Sequence, residues 1–342
     1  MIVGLGGGVG ASRLWRALLG AGVDPADLTV VVNTADDLWV HGLRVCPDLD
    51  TTLYALSGRQ DLERGWGVRG ESWRAMDALR DLGGEPWFNL GDLDLGTHLF
   101  RTGLLRDGVG LAEITQRLAA AMGVGIGVLP MTEDEVTSYV LTVTGSLLHF
   151  QEFHVARRSR DEVRNLSYRG IDQARPAPGL LEAILTADRV VIAPSNPLAS
   201  IAPILALPGV REALRATSAP VVALTPIVSG IPITDPGEAH RAETRAGLLR
   251  SIGLSHSASS AASLLREVAD AFVLDCTDEI EAETIAGCGL DVLVADTLAT
   301  ERPGGLVELP AVRAVLDYRP RGEATDGTDG TVGIVRRPEE GR

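Results

Sequence analysis

Four segments of this 342-residue chain carry residues whose types and spacing could do chemistry. The first is Gly6-Gly7-Gly8-Val9-Gly10, set between an apolar run and an amphipathic one. A glycine-rich turn of that kind brings backbone N–H groups and a helix N-terminus to a phosphate. Read as G-x-G-x-x-G from Gly4, the loop ends on Val9, a misfit; from Gly6 it gives Gly6, Gly8 and Ala11, a weak dinucleotide match. A tight turn without ligand fits the same residues. A nicotinamide dinucleotide also wants an acidic side chain closing the second strand, where Asn33 stands.

The second segment runs from Asn33-Thr34-Ala35-Asp36-Asp37 to Cys46-Pro47-Asp48-Leu49-Asp50. Its four carboxylates need a cation or solvent. One or two Asp oxygens, completed by substrate phosphate and water, describe a Mg²⁺ site, although Asp37 or Asp48 could equally cap a helix or turn. The third is Asn89-Leu90-Gly91-Asp92-Leu93-Asp94, followed by His98 and Arg101. If a helix starts after Asp94, His98 and Arg101 are three apart, share a face and could together hold a phosphate or carboxylate. The fourth, Pro194-Ser195-Asn196-Pro197, runs from a strand end into a helix, where Ser and Asn cap the helix or read a base or phosphate. No Ser/His/Asp triad can be assembled from spacing, and no His or Cys cluster has zinc-ligand spacing.

The elements that must position these residues read as a doubly wound, Rossmann-like α/β fold with a mainly parallel sheet. Strands are expected at 1–5, 28–33, 125–129, 189–193, 220–224, 271–274 and 290–294, with a helix over about 11–19. The stretch 51–122 reads as a mostly helical insertion. Residues 136–155 read as a β-hairpin turning at Thr144-Gly145. One α/β domain is expected over 1–318, and the Gly-, Asp-, Glu- and Arg-rich tail 319–342 is expected to be disordered.

Composition narrows the chemistry. All 31 basic residues are arginine, against 46 acidic ones, a net charge of −15. Without lysine there is no G-x-x-x-x-G-K-[ST] loop, no Schiff base and no kinase strand lysine. Any phosphate must be met by arginine, backbone amides or a metal ion. The acidic balance disfavours nucleic acid and anionic membranes as partners. Cys46, Cys276 and Cys288 suit no disulfide framework, and no apolar run approaches the ~20 residues of a membrane span, so a cytoplasmic protein is expected.

Taken together, NTADDLWVHGLRVCPDLDTTLYAL, RGWGVRGESW, GDLDLGTHLFRTGLLRDG, LPMTEDEVTSYV, HFQEFHV and APSNPLASIAPILALPGVR resemble the phospholactate transferase family of deazaflavin (coenzyme F-420) biosynthesis. The resemblance runs from the glycine loop to about residue 235. It implies a homodimeric, Mg²⁺-dependent transferase with a Rossmann-like core. Such an enzyme moves a phospholactyl or phosphoenolpyruvyl group from its guanosine-diphosphate conjugate to the ribityl hydroxyl of the deazaflavin Fo, releasing GMP. Carried onto this chain, Asp36 and Asp50 hold the metal, and Asp50 is also expected to orient the acceptor hydroxyl. Gly6, Gly7, Gly8 and Gly10 cradle the diphosphate, while Ser195 and Asn196 take the guanosine side. Asn33, Asp37, Asn89, Asp92, Asp94, His98 and Arg101 complete the substrate-binding set. The family usually reads G-D-R-D where this chain has Gly91-Asp92-Leu93-Asp94, and often a basic residue near Asn89. Either Arg101, Arg64 or Arg69 replaces that charge, or the substrate preference has shifted. The competing reading, a nucleotide-sugar-binding regulator of the same fold, would keep the glycine loop without the Fo-side segments.

Overall fold

The apolar runs of the sequence pair as strands of one sheet. The computed structural model describes residues 1–302, 305–320 and 333–337. In chain order the strands are β1 (Ile2–Gly6), β2 (Leu28–Val32), β3 (Leu38–Val40), β4 (Leu43–Val45) and β5 (Gly127–Pro130). β6 (Thr137–Thr142), β7 (Leu147–His149), β8 (Val163–Arg169), β9 (Arg189–Ile192) and β10 (Val221–Leu224) follow. The last are β11 (Ala271–Asp275), β12 (Asp291–Ala295), a ribbon of β13 (Thr300–Glu301) and β14 (Val307–Glu308), and β15 (Gly333–Val335). Eight of them form the main sheet in the order β15-β12-β11-β10-β9-β1-β2-β5, all parallel except β15. The expected Rossmann-like, doubly wound architecture is therefore the one observed.

Strands buried on both faces read as unbroken apolar runs because neighbouring side chains point to opposite layers. Val3 and Leu5 of β1 pack into one layer with Val31, Ile192 and Leu274. Val30 and Val32 join the other with Leu14 and Trp15 of α1 (Gly8–Gly20). Gly4 sits under the Trp15 ring, where an added Cβ would land within 2.6 Å of the Trp15 Cζ3 carbon. This glycine is therefore a packing requirement.

The stretch 51–122 is carried by α2 (Pro47–Leu56), α3 (Arg74–Asp81), α4 (Asp92–Arg106) and α5 (Leu111–Met122). α2 enters earlier than expected because Pro47 is prearranged for a first helical turn. Likewise α1 starts at Gly8, inside the glycine run, and α4 at Asp92.

Three expectations need correction. The hairpin ends at His149, and residues 152–156 wind into a single wide helical turn instead of continuing the strand to 155. Its strand β6 has a second antiparallel neighbour, β8, which polar alternation in VRNLSYR concealed. The tail is not wholly disordered: β15 closes the sheet edge on β12, and Arg336 Nη1 and the Arg337 N–H donate to Asp291 at 2.6 and 3.0 Å. The other tail residues, 321–332 and 338–342, lie outside the described residues. Among the described residues no single helix is long and apolar enough to cross a membrane.

Candidate active site

The strand order reverses between β1 and β9: the chain goes from β1 outward to β2 and β5, and from β9 the other way to β10. A crevice must open where the connections diverge, at the carboxyl ends of the strands. There the glycine loop after β1 meets Pro194-Ser195-Asn196 after β9 at one side of a cavity of about 720 Å³.

Close approach explains these glycines. An added Cβ at Gly6 would lie 2.7 Å from Ala193 Cβ, and one at Gly10 would strike the Pro194 carbonyl oxygen. Gly8 has φ +72°, which disfavours a side chain. Ser195 ties the two loops together: its hydroxyl accepts from the Gly7 N–H at 3.1 Å and donates to the Gly7 carbonyl at 2.9 Å. The Asn196 Oδ1 accepts from the Leu198 and Ala199 N–H groups, capping the turn at 197–201. Both residues line the cavity, but these polar contacts already serve the loop.

Against the loop stands a wall of carboxylates, with Asp48 so near that a Cβ added at Gly7 would strike its Oδ2. Asn33 Nδ2 donates to Asp36 Oδ1 at 2.8 Å and to Asp48 Oδ2 at 3.1 Å, while its Oδ1 accepts from the Ala35 N–H. Gln151 holds the other oxygen of Asp36 at 2.6 Å. Burial, then the charges of Asp48 and Asp37, hold the Asp36 carboxyl well above the usual range. Burial pushes Asp48 up to about 6, against hydrogen bonds from Asn33 and Ser200. Asp37 is pushed up to about 7 by burial, against the pull of Arg44 at 3.5 Å, and neither of its oxygens has a hydrogen-bond partner among the described residues. This wall holds more carboxylate than its described neighbours neutralise.

Asp50 takes different partners from Asp36. Both of its oxygens meet the guanidinium of Arg101, with Oδ2 at 3.1 Å from Nη1, and Oδ2 also accepts from the Cys46 N–H at 3.3 Å. The Asp50 carboxylate overcomes the cost of burial and holds the Arg101 guanidinium firmly protonated. The expected pairing of His98 and Arg101 on one helix face is present, with His98 Nδ1 3.2 Å from Arg101 Nη1. His98 Nε2 lies 3.2 Å from Asp94 Oδ1, which also accepts from Tyr54 Oη at 2.6 Å. Burial raises the Asp94 carboxyl, but His98 and Tyr54 outweigh it and leave it below the usual range. Asp50, Asp94 and His98 are close enough together to hold a metal ion, yet the Arg101 fork already supplies the cation there.

Among the expected residues, Gly6, Asn33, Asp37, Asp92 and Arg101 do not line the cavity themselves, and Asp92 stands farthest from its chemistry, having no contact with the carboxylate wall. Asp92 lies on the surface, where it accepts from the Ser72 N–H and hydroxyl at 2.7 and 2.9 Å, anchoring the preceding loop. Asn89 lines the cavity mouth and accepts from Arg80 Nη2 at 2.7 Å. Arg80 thus returns a cation beside the position where the resemblance led one to expect it. Of the proposed replacements, Arg64 lines the cavity and lies over the rings of both Trp66 and Trp73, whereas Arg69 donates to the Gly58 carbonyl.

Sequence reading missed Gln151 and the whole far wall, made by His154, Arg158 and the helix Pro236–Ser251 with His240, Arg241 and Arg245. Arg241 and Arg245 are four apart on one helix, a spacing that could have drawn notice.

Fold and site together define an α/β protein with a switch-point cavity that joins a glycine loop to a carboxylate wall. The family of 2-phospho-L-lactate transferase CofD matches residues 2–291. The chain belongs to that family. It is 39% identical over 310 residues to a phosphoenolpyruvate transferase of Kitasatospora aureofaciens, covering 87% of this chain and 94% of that one. A 2-phospho-L-lactate transferase of Methanosarcina mazei is 36% identical over 305 residues, covering 89% and 97%. Among solved structures, a UPF0052-family protein of Bacillus halodurans aligns with a TM-score of 0.59 at 17% identity, over 92% of this chain and 99% of that one, a likeness of fold alone.

Proposed function

We propose that this chain transfers a phospholactyl or phosphoenolpyruvyl group from its guanosine-diphosphate conjugate to the ribityl hydroxyl of Fo, with release of GMP. The observation that carries the reading is the single cavity in which a glycine loop faces Asp36, Asp48, Asp50 and Asp94, in a chain of this family. Phosphoryl-type transfer needs the nucleophile placed in line and the non-bridging oxygens neutralised. The loop amides and the α1 N-terminus meet the diphosphate. Asp50 keeps lone-pair capacity beyond Arg101 and the Cys46 N–H, so it can accept from the acceptor hydroxyl. Arg101 and His98 hold that carboxylate in place.

A Mg²⁺ ion fits Asp36 and Asp48 better than Asp36 and Asp50. The first two share one amide donor and are both held above the usual carboxylate range, chiefly by burial, whereas Asp50 already has its cation. When bound, the ion would offset diphosphate charge. Titrating the purified chain with Fo tests the reading through the deazaflavin fluorescence. Saturable binding of Fo supports it; no binding of Fo together with binding of a UDP-sugar supports a regulator instead.

A further inference from the structure

The cavity is bipolar. Its carboxylate wall faces a second wall built from the turn at 152–159 and the helix Pro236–Ser251, and that wall is basic. Arg245 is nine-tenths buried, yet its nearest carboxylate oxygen among the described residues, Glu238 Oε1, is 3.7 Å away, and the same carboxylate pairs with Arg241 through Oε2. Its Nε donates to His256 Nε2 at 3.2 Å, and among the described residues the guanidinium fork has no carboxylate oxygen nearer than that of Glu238 at 3.7 Å. Arg241 lies beside it, 3.0 Å from the other Glu238 oxygen and 3.6 Å from Asp235.

Arg158 is brought to the same cavity in an uncommon backbone conformation. Arg158 and Ser159 have φ +54° and +53°, successive non-glycine residues in the left-handed region. Such conformations cost of order 1–3 kcal/mol each and persist only where neighbours enforce them. Here the enforcing contacts are Ser159 Oγ to Thr244 Oγ1 at 2.7 Å and the Ser159 N–H to the Phe153 carbonyl at 2.9 Å. His154 stacks on His240 at 4.3 Å, with Nδ1 2.9 Å from Thr244 Oγ1. Burial and the neighbouring His240 and Arg241 hold His154 neutral, down to about 3, so His154 adds no positive charge to the arginines of this wall.

We propose that Arg158, Arg241 and Arg245 form a second oxyanion subsite, taking the carboxylate of the three-carbon acid carried by the donor. This rests on the transferase reading: with the diphosphate on the glycine loop, the donor's remaining anion is its carboxylate. An arginine fork matches a carboxylate in two parallel hydrogen bonds. Only Glu238 among the acids lining the cavity lies on this wall, so an incoming carboxylate meets net attraction there.

Arg241→Gln and Arg245→Gln are expected to raise KM for the acid-bearing donor about tenfold or more and to leave the Kd of GDP and of Fo unchanged. An unchanged donor KM, or an equal loss of GDP affinity, overturns the subsite. Because Arg245 is buried, a wild-type measurement runs beside the variants: phenylglyoxal labelling of the full chain, mapped by mass spectrometry. Phosphoenolpyruvate and pyruvate are expected to protect Arg241 and Arg245, and inorganic phosphate is not. No protection, or equal protection by phosphate, overturns the carboxylate assignment. Protection without Fo turnover would sink the transferase reading and leave the subsite standing; turnover without protection does the reverse.

Discussion

Asp50 and Arg101 can be separated as a structural pair and as a working site by a double-mutant cycle. Arg101 is 1% exposed and its fork takes both oxygens of a carboxylate that is itself buried. Asp50→Asn removes the charge and leaves a guanidinium in the protein interior. Breaking a buried pair by removing one partner costs about 3–5 kcal/mol, a factor of roughly 10²–10⁴ in the folding equilibrium. Arg101→Met should cost as much, because Asp50 would then lie unpaired among Asp94, Asp37 and the polar Tyr54. Combining the two leaves no orphaned charge, so the double variant should lose about 2 kcal/mol or less, a coupling of at least about 4 kcal/mol. Urea unfolding followed by circular dichroism at pH 7 measures all four corners. Additivity within about 0.5 kcal/mol would refute the pairing. Fo transfer measured on the same four proteins gives the second answer, since Asp50→Asn with full transfer activity would remove Asp50 from the chemistry.

Asp48 and Asp37 are both raised in the folded chain, to about 6 and about 7 from 3.8. The folded state therefore holds their protons more tightly than the unfolded one, and that stability, present below about pH 4, is lost as pH rises through 6 and 7. The shifts correspond to at most about 3 and 4 kcal/mol. The metal-free chain should melt at a lower temperature at pH 8 than at pH 5, with added Mg²⁺ narrowing the gap; a flat profile would contradict this. Gly10→Ala should be severely destabilising, because its Cβ meets the rigid Pro194 carbonyl, and a melting temperature equal to wild type would show that the loops are not so close. Ser195→Ala leaves the Gly7 N–H and carbonyl without their shared partner, about 1–3 kcal/mol in stability, and should weaken GDP binding, which calorimetry reads. Asp92→Asn should leave Fo affinity within twofold of wild type, as expected of a surface anchor; a tenfold loss by fluorescence titration would return it to the substrate site.

The sheet was legible because parallel strands buried on both faces are short apolar runs, and each of the seven predicted strands joins the main sheet. β8 escaped because VRNLSYR shows solvent its polar side chains, and β15 because Gly333-Ile334-Val335 is too short a run to mark a strand without β12 to pair with. At the site, residue types and their neighbourhood could be read, but the partnerships could not. Asp48, read as a capping residue as readily as a ligand, sits beside Asp36 through Asn33, and Asp50 turns to an arginine fifty-one positions away. Long-range choices of that kind depend on which helix faces which, information that spacing along the chain does not contain. The basic wall was invisible for the same reason: residues 152–159 and 236–251 meet only once β8 is laid beside β6.

One reaction puts the central claim to the test. The purified chain is incubated with Mg²⁺, Fo and the guanosine-diphosphate conjugate of phospholactate or phosphoenolpyruvate, and the products are weighed by mass spectrometry. The account predicts Fo enlarged by the phosphorylated three-carbon acid, with GMP released in equal amount. Unchanged Fo with both donors, or release of GDP in place of GMP, would contradict it.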